Sequence, residues 1–139
     1  MIRLLGLDVG TVRVGVALSD PLGLIAQPFE VIHRRKSDPF DRVVALVDQH
    51  EVQRVVIGNP LQLDGEVGPA AIAIAEFAGK LRERLSVPVE LWDERLSTAQ
   101  AEREMIAAGM RREKRRQRID KVAAALILQS YLDARSVSG

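Results

Sequence analysis

A chain of 139 residues has room for one compact domain, and 47% hydrophobic against 28% charged residues is the balance of a soluble globular protein, with no apolar run long enough to cross a bilayer. Having no cysteine excludes disulfides, thiolate zinc sites and cysteine nucleophiles together, and two histidines, His33 and His50, are too few for a histidine-based metal centre. The net charge of +1 conceals an uneven distribution: Arg111-Arg112-Glu113-Lys114-Arg115-Arg116-Gln117-Arg118 is almost wholly basic, and His33-Arg34-Arg35-Lys36 is a smaller cluster.

The N-terminus has a single Arg3 and then enters a strand, unlike a secretory signal, so a cytoplasmic location is expected. Leu4-Leu5-Gly6-Leu7-Asp8-Val9-Gly10 is a short aliphatic run stopped by Gly10-Thr11, which reads as a strand buried on both faces. Val12 to Ser19 returns as a second strand, making a hairpin. Asp20-Pro21-Leu22-Gly23 is a turn, and Ile25 to Ile32 a third strand placed at a sheet edge by Pro28. At Ser37-Asp38-Pro39 a capping Asp followed by Pro announces a helix bearing Val43, Val44, Leu46 and Val47. Arg54 to Gly58 is a short buried strand, Leu61 to Gly68 a loop at the mouth of the sheet, and Pro69 to about Leu85 an amphipathic helix with Ile72, Phe77 and Leu81 on its apolar face. Val89 to Asp93 is the fifth strand. Ser97-Thr98-Ala99-Gln100 has the spacing of a capping box and starts a helix ending at Gly109. The basic stretch is then a connector, and Ile119-Asp120 opens a final helix. This order describes an α/β protein, a mixed sheet with helices on its faces, over residues 1–139 as a single domain.

Three places put carboxylates where side chains converge. A carboxylate in a buried strand stays ionised only when a cation, a metal or several donors compensate it, so Asp8 is either a site residue or a former of the turn that follows. Asp93 and Glu94 lie where the fifth strand ends, the end of an open sheet where ligands bind, or else pair with Arg95 or Arg103 on the surface. Asp120 is either an N-cap or a residue aimed at the sheet, because Asp120, Ala124, Ile127 and Tyr131 share one helix face, provided that the helix crosses the first and fourth strands. Carboxylates gathered without cationic partners repel one another, and divalent ions between them relieve this. Oxygen ligands suit Mg²⁺ or Mn²⁺, and two such ions about 3.5 to 4 Å apart can activate a water and stabilise the leaving oxygen of a phosphodiester. The basic segment offers a polyanion a place to lie, or is a solvated loop. Trp92 and Tyr131 read as aromatics at the core edge, and His33 and His50 as surface residues.

Gly6-Leu7-Asp8-Val9-Gly10-Thr11 with Arg13-Val14-Gly15-Val16-Ala17 and Ser19-Asp20 resembles the opening motif of the YqgF/RuvX family, nuclease-like proteins with a ribonuclease H-type fold. The similarity continues through Val56-Ile57-Gly58-Asn59-Pro60-Leu61, Asp93-Glu94-Arg95-Leu96-Ser97-Thr98, Lys114-Arg115 and Ile119-Asp120 with Ala123-Ala124, in order and at family spacing. Ser97 stands where related proteins often have Thr, retaining the hydroxyl. The resemblance implies a ribonuclease H-like fold, a five-stranded sheet whose first three strands are antiparallel, and an acidic metal site. It also implies maturation of the 5′ end of the small-subunit ribosomal RNA precursor. Carried over by position, Asp8, Glu94 and Asp120 are the catalytic, metal-holding residues, with Asp93 the alternative to Glu94. Arg13, Arg111, Arg112, Lys114, Arg115, Arg116 and Arg118 are assigned to nucleic acid.

The leading expectation is a two-metal nuclease, Mg or Mn dependent, acting on structured RNA as a monomer or weak homodimer. The alternatives are a Holliday junction resolvase acting on four-way DNA, which needs two sites related by a two-fold axis, and a non-catalytic RNA-binding or assembly factor. A nucleotide-binding domain of the actin or sugar-kinase kind is disfavoured, since those proteins close two such domains and this chain has room for one.

Overall fold

Runs of Leu, Val and Ile at Leu4 to Leu7, Val14 to Leu18 and Val55 to Ile57 form the middle of one sheet, where β-branched and aliphatic side chains pack on both faces. The computed structural model describes residues 2–59, 68–93 and 112–138, apart from the side chains of 112–119 and 136–138. The strands are β1 (Leu4–Val9), β2 (Arg13–Ser19), β3 (Ala26–His33), β4 (Arg54–Asn59) and β5 (Val89–Asp93); the described helices are α1 (Pro39–Gln49), α2 (Pro69–Arg84) and α3 (Arg112–Ser138). Spatial order is β3-β2-β1-β4-β5. The hairpin strands β1, β2 and β3 are antiparallel, and β4 and β5 run parallel to β1, reached through helices. No helix among the described residues is long and apolar enough to cross a membrane.

Pro28 sits on the edge strand as expected, and the register of β2 with β3 skips there: Val16 pairs with Glu30 and Ala17 with Pro28, leaving Phe29 as a bulge. Asp38 caps α1, its Oδ1 accepting from the backbone N–H of Phe40 at 2.8 Å, with Pro39 first in the helix. Such a cap contributes about 1 kcal/mol.

Alternation along β1 separates two cores. Leu5 and Leu7 face α1 and α2, joining Val14, Val16, Val55, Ile57, Leu46 and Phe77. Leu4 faces α3, joining Ala17, Val56, Ala124, Ile127, Leu128 and Tyr131. The face expected for the last helix is therefore the buried one. In α2 the inward residues are Ala71, Ile74, Phe77, Ala78 and Leu81, whereas Ile72, expected in the core, is 53% exposed. One hundred degrees per residue carries Ile72 off the stripe that Ile74 and Phe77 define.

The last helix departs from expectation in three respects. It already runs from Arg112, so residues 112–118 are helix and not a connector, and Asp120 lies well inside it and is no N-cap. The arginines and lysine there are good helix formers, and they extend the helix whose inner part is held by the sheet. It also packs chiefly on β2, β3 and β1, with β4 a lesser neighbour. Small residues decide this: Gly6, Gly15 and Ala17 leave the antiparallel half of the sheet open to close approach. Gln129 secures the placement, accepting from the Ala26 N–H at 2.9 Å and donating to the Leu24 carbonyl at 3.0 Å. Of the loop expected over Leu61 to Gly68, residues 61–67 lie outside the described residues, as does the helix expected from Ser97 to Gly109.

Candidate active site

Gly15 is the hinge of the site's geometry. It is the cross-strand partner of Asp8, so both positions point to the α3 face, and a Cβ built on Gly15 would stand 1.9 Å from the backbone oxygen of Asp120. The absent side chain lets α3 settle directly beside Asp8. Gly6 does the same two pairs earlier, where a Cβ would meet Leu128 Cβ at 2.8 Å. Two glycines in β1 and β2 thus bring Asp8 and Asp120, 112 positions apart, within electrostatic reach.

The two carboxylates differ in their surroundings. Asp120 accepts from Arg13 Nε at 2.6 Å, in a part-buried ion pair. Asp8 is half-buried, and its carboxyl is pushed up from 3.8 to about 6, first by burial and then by the negative charge of Asp120. An ionised Asp8 is therefore short of positive charge. A divalent cation would supply it, and two facing carboxylates are oxygen donors of the kind Mg²⁺ or Mn²⁺ takes. The residues fit such an ion, with a further oxygen ligand needed, since no group of three His, Cys, Asp or Glu able to hold a metal occurs among the described residues.

The remaining sequence candidates fall unequally. Glu94 and Arg111 lie outside the described residues, and so do the side chains of Arg112, Lys114, Arg115, Arg116 and Arg118, although their backbone is helical. Asp93 ends β5, exposed, in a strand whose alternation is clear: Val89 and Leu91 pack on the α1 and α2 side, while Glu90 and Trp92 face α3. Alternation puts Asp93 with Val89 and Leu91, on the opposite side from Asp8. Arg13, expected at the nucleic acid, bonds Asp120, so the carboxylates do not gather without a cationic partner. That contact joins residues 107 apart and follows from β2 lying under α3, which no local pattern reveals.

Towards the other end of β1, Tyr131 donates to Glu90 Oε2 at 2.6 Å and Arg54 to the same oxygen at 2.8 Å, tying α3 to β4 and β5. The bond to Tyr131 leads in holding the Glu90 carboxyl below its usual range, while burial pushes the Tyr131 hydroxyl up. Trp92 meets Tyr131 edge-on at 5.3 Å, so both aromatics belong to the core edge, as expected. His33 and His50 are half-buried; His33 stands opposite Arg13 in the register of β2 and β3, and His50 is edge-on to Phe29 at 5.1 Å.

Comparison with known proteins agrees with this architecture. A protein from Geobacillus kaustophilus, provisionally named pre-16S rRNA nuclease, is 53% identical over 136 residues, covering 96% of this chain and 99% of that one. Among solved structures, RuvC of Thermus thermophilus superposes with a TM-score of 0.55 at 15% identity over 98% of this chain and 97% of its own. The fowlpox virus Holliday junction resolvase does so with 0.57 at 12% identity over 96% and 99%. At such identities these likenesses establish the ribonuclease H-like fold. The model of the RuvX family, described as Holliday junction resolvase, matches residues 2–134, and with that span and the close relative the chain belongs to the RuvX family.

Proposed function

We propose that this protein is a divalent-metal-dependent nuclease that hydrolyses phosphodiester bonds in structured RNA, processing the 5′ end of pre-16S rRNA in the cytoplasm. The observation that carries the reading is the pairing of a half-buried, under-compensated Asp8 with Asp120 across Gly15. Relatives named for pre-16S rRNA cleavage support the substrate. Asp8 and Asp120 would hold the metal, with Glu94 as the third oxygen ligand, a choice supported by the outward side of Asp93. A bound metal would supply an activated water and neutralise charge on the leaving oxygen, the two-metal arrangement being the expected form. Within the chain, Asp8 in its ionised form binds, Arg13 holds Asp120 in orientation, and the basic stretch 111–118 would lie along phosphates.

Incubating the purified protein with precursor rRNA in Mn²⁺, Mg²⁺ or chelator tests this. Cleavage with either metal, abolished by chelator and by Asp8→Asn, is the expected result. Metal-independent binding without turnover would establish an assembly factor in its place. Junction resolution is the second reading, favoured by the family's description and the RuvC-like fold; it requires a dimer, whereas a monomer or weak homodimer is expected here.

A further inference from the structure

Beyond the acidic pair, the carboxyl end of β1 borders a second feature. Past Asp8 the chain turns at Gly10-Thr11, and this turn, with Phe40 of α1 and Ala73, Ile74 and Phe77 of α2, lines a cleft of about 380 Å³. Its floor is apolar and aromatic, with Phe40 and Phe77 in tilted contact at 4.6 Å between ring centroids. Two cations, Arg34 and Lys80, stand against one carboxylate, Glu76. Arg34 is held in place: its Nη1 donates to the Gly10 carbonyl at 2.7 Å, and its guanidinium lies over the Phe77 ring at 5.6 Å.

These properties narrow the occupant. The volume is in the range of small-ligand sites, about 300 to 1,000 Å³. An apolar aromatic floor accepts a flat ring, and a positive rim accepts an anion attached to it. Gly10 is two residues beyond Asp8, and strand residues advance about 3.3 Å each, so the cleft mouth is one nucleotide's reach from the acidic pair. Val9, between them, points to the cleft side of the sheet, while Asp8 points to α3. A strand crossing the sheet's end meets both.

We propose that this cleft is a base-binding subsite, taking one unstacked nucleotide that flanks the phosphodiester held at Asp8 and Asp120, with Arg34 and Lys80 at its phosphate. The proposal rests on the nuclease reading and deepens it by making recognition depend on a single-stranded nucleotide beside the cut.

The test is binding in chelator, so that turnover plays no part. Fluorescein-labelled oligouridylate of about 12 nucleotides and an abasic oligomer of equal length are titrated with wild-type protein, and base stacking predicts roughly tenfold tighter binding of the base-bearing strand. Ala73 is exposed at the cleft, and Ala73→Trp fills it. That variant is expected to keep the abasic affinity and the melting temperature while losing the preference for bases. Lys80→Glu is expected to weaken both strands by a similar factor. Ile72→Trp, on the exposed side of the same helix, keeps the wild-type ratio. A preference unchanged by Ala73→Trp, or absent from the wild type, overturns the subsite alone. Failure of the wild type to bind either strand overturns the RNA reading with it.

Discussion

Asp8 enters the fold at a cost. Its carboxyl titrates near 3.8 in the unfolded chain and at about 6 in the folded one, so the native state holds the proton more tightly. Below both values the group is neutral in either state and costs nothing. As pH rises between them the unfolded state ionises first, and stability falls by a total of about 3 kcal/mol, fully lost above the folded value. Asp8→Asn removes that penalty. Metal-free protein carrying it is expected to melt several degrees higher than wild type at about pH 8 and at the same temperature near pH 3.5, while cleavage is lost. Thermal melts across that range check it; destabilisation at high pH would make Asp8 a structural residue instead. Arg13 works in the opposite direction, cancelling part of the Asp120 charge that Asp8 feels. Arg13→Gln is expected to cost about 1 to 2 kcal/mol, since it strands a part-buried carboxylate, and to raise the Asp8 titration midpoint further, as carboxyl NMR would report.

At the level of elements, the site depends on how closely α3 lies against β1 and β2. Gly15→Ala would put a methyl 1.9 Å from a helix carbonyl, backbone that has no rotamer to change. The helix must lift, at or beyond the usual overpacking cost of about 1 to 3 kcal/mol, and Asp120 moves away from Asp8. Stability and metal affinity, read by melting and by Mn²⁺ calorimetry, are expected to fall together. Gly6→Ala meets Leu128 Cβ at 2.8 Å and the Ala124 carbonyl oxygen at 3.1 Å, looser contacts than at Gly15, further along the same groove and away from the carboxylates. Its expected effect is a smaller loss of stability with metal affinity largely kept. Equal metal losses in the two variants would show that the Gly15 contact does not position the pair.

For the whole molecule, the charge distribution separates the readings that chemistry at one residue cannot. A run of seven basic or amide side chains and one glutamate along 111–118 predicts steep salt dependence. Affinity for precursor rRNA is expected to drop by about 10³ or more between roughly 50 and 200 mM salt if six or more phosphates are contacted. Symmetric resolution of a four-way junction needs two such sites in one assembly. Sedimentation of a monomer on junction DNA would remove that activity, whereas a two-fold dimer cutting both strands would displace the RNA reading.

The sequence by itself determined the strands and their succession along the chain, the edge position of β3 through Pro28, the cap at Asp38, the inward face of the last helix, and the family, because period, cap and turn chemistry are local and a motif is read residue by residue. Asp8 and Asp120 stood out as carboxylates, each with a local alternative left open, a turn former for Asp8 and an N-cap for Asp120. Only the tertiary structure decided that Asp120 lies within a helix beginning at Arg112, that Arg13 bonds it, that Asp93 belongs with the other face, and that Ile72 is outside the core. Each of these depends on which surfaces meet, and that was settled by the small residues Gly6, Gly15 and Ala17, whose lack of bulk draws α3 across the antiparallel strands. A helix stripe shows what can be buried; the partner's shape chooses what is.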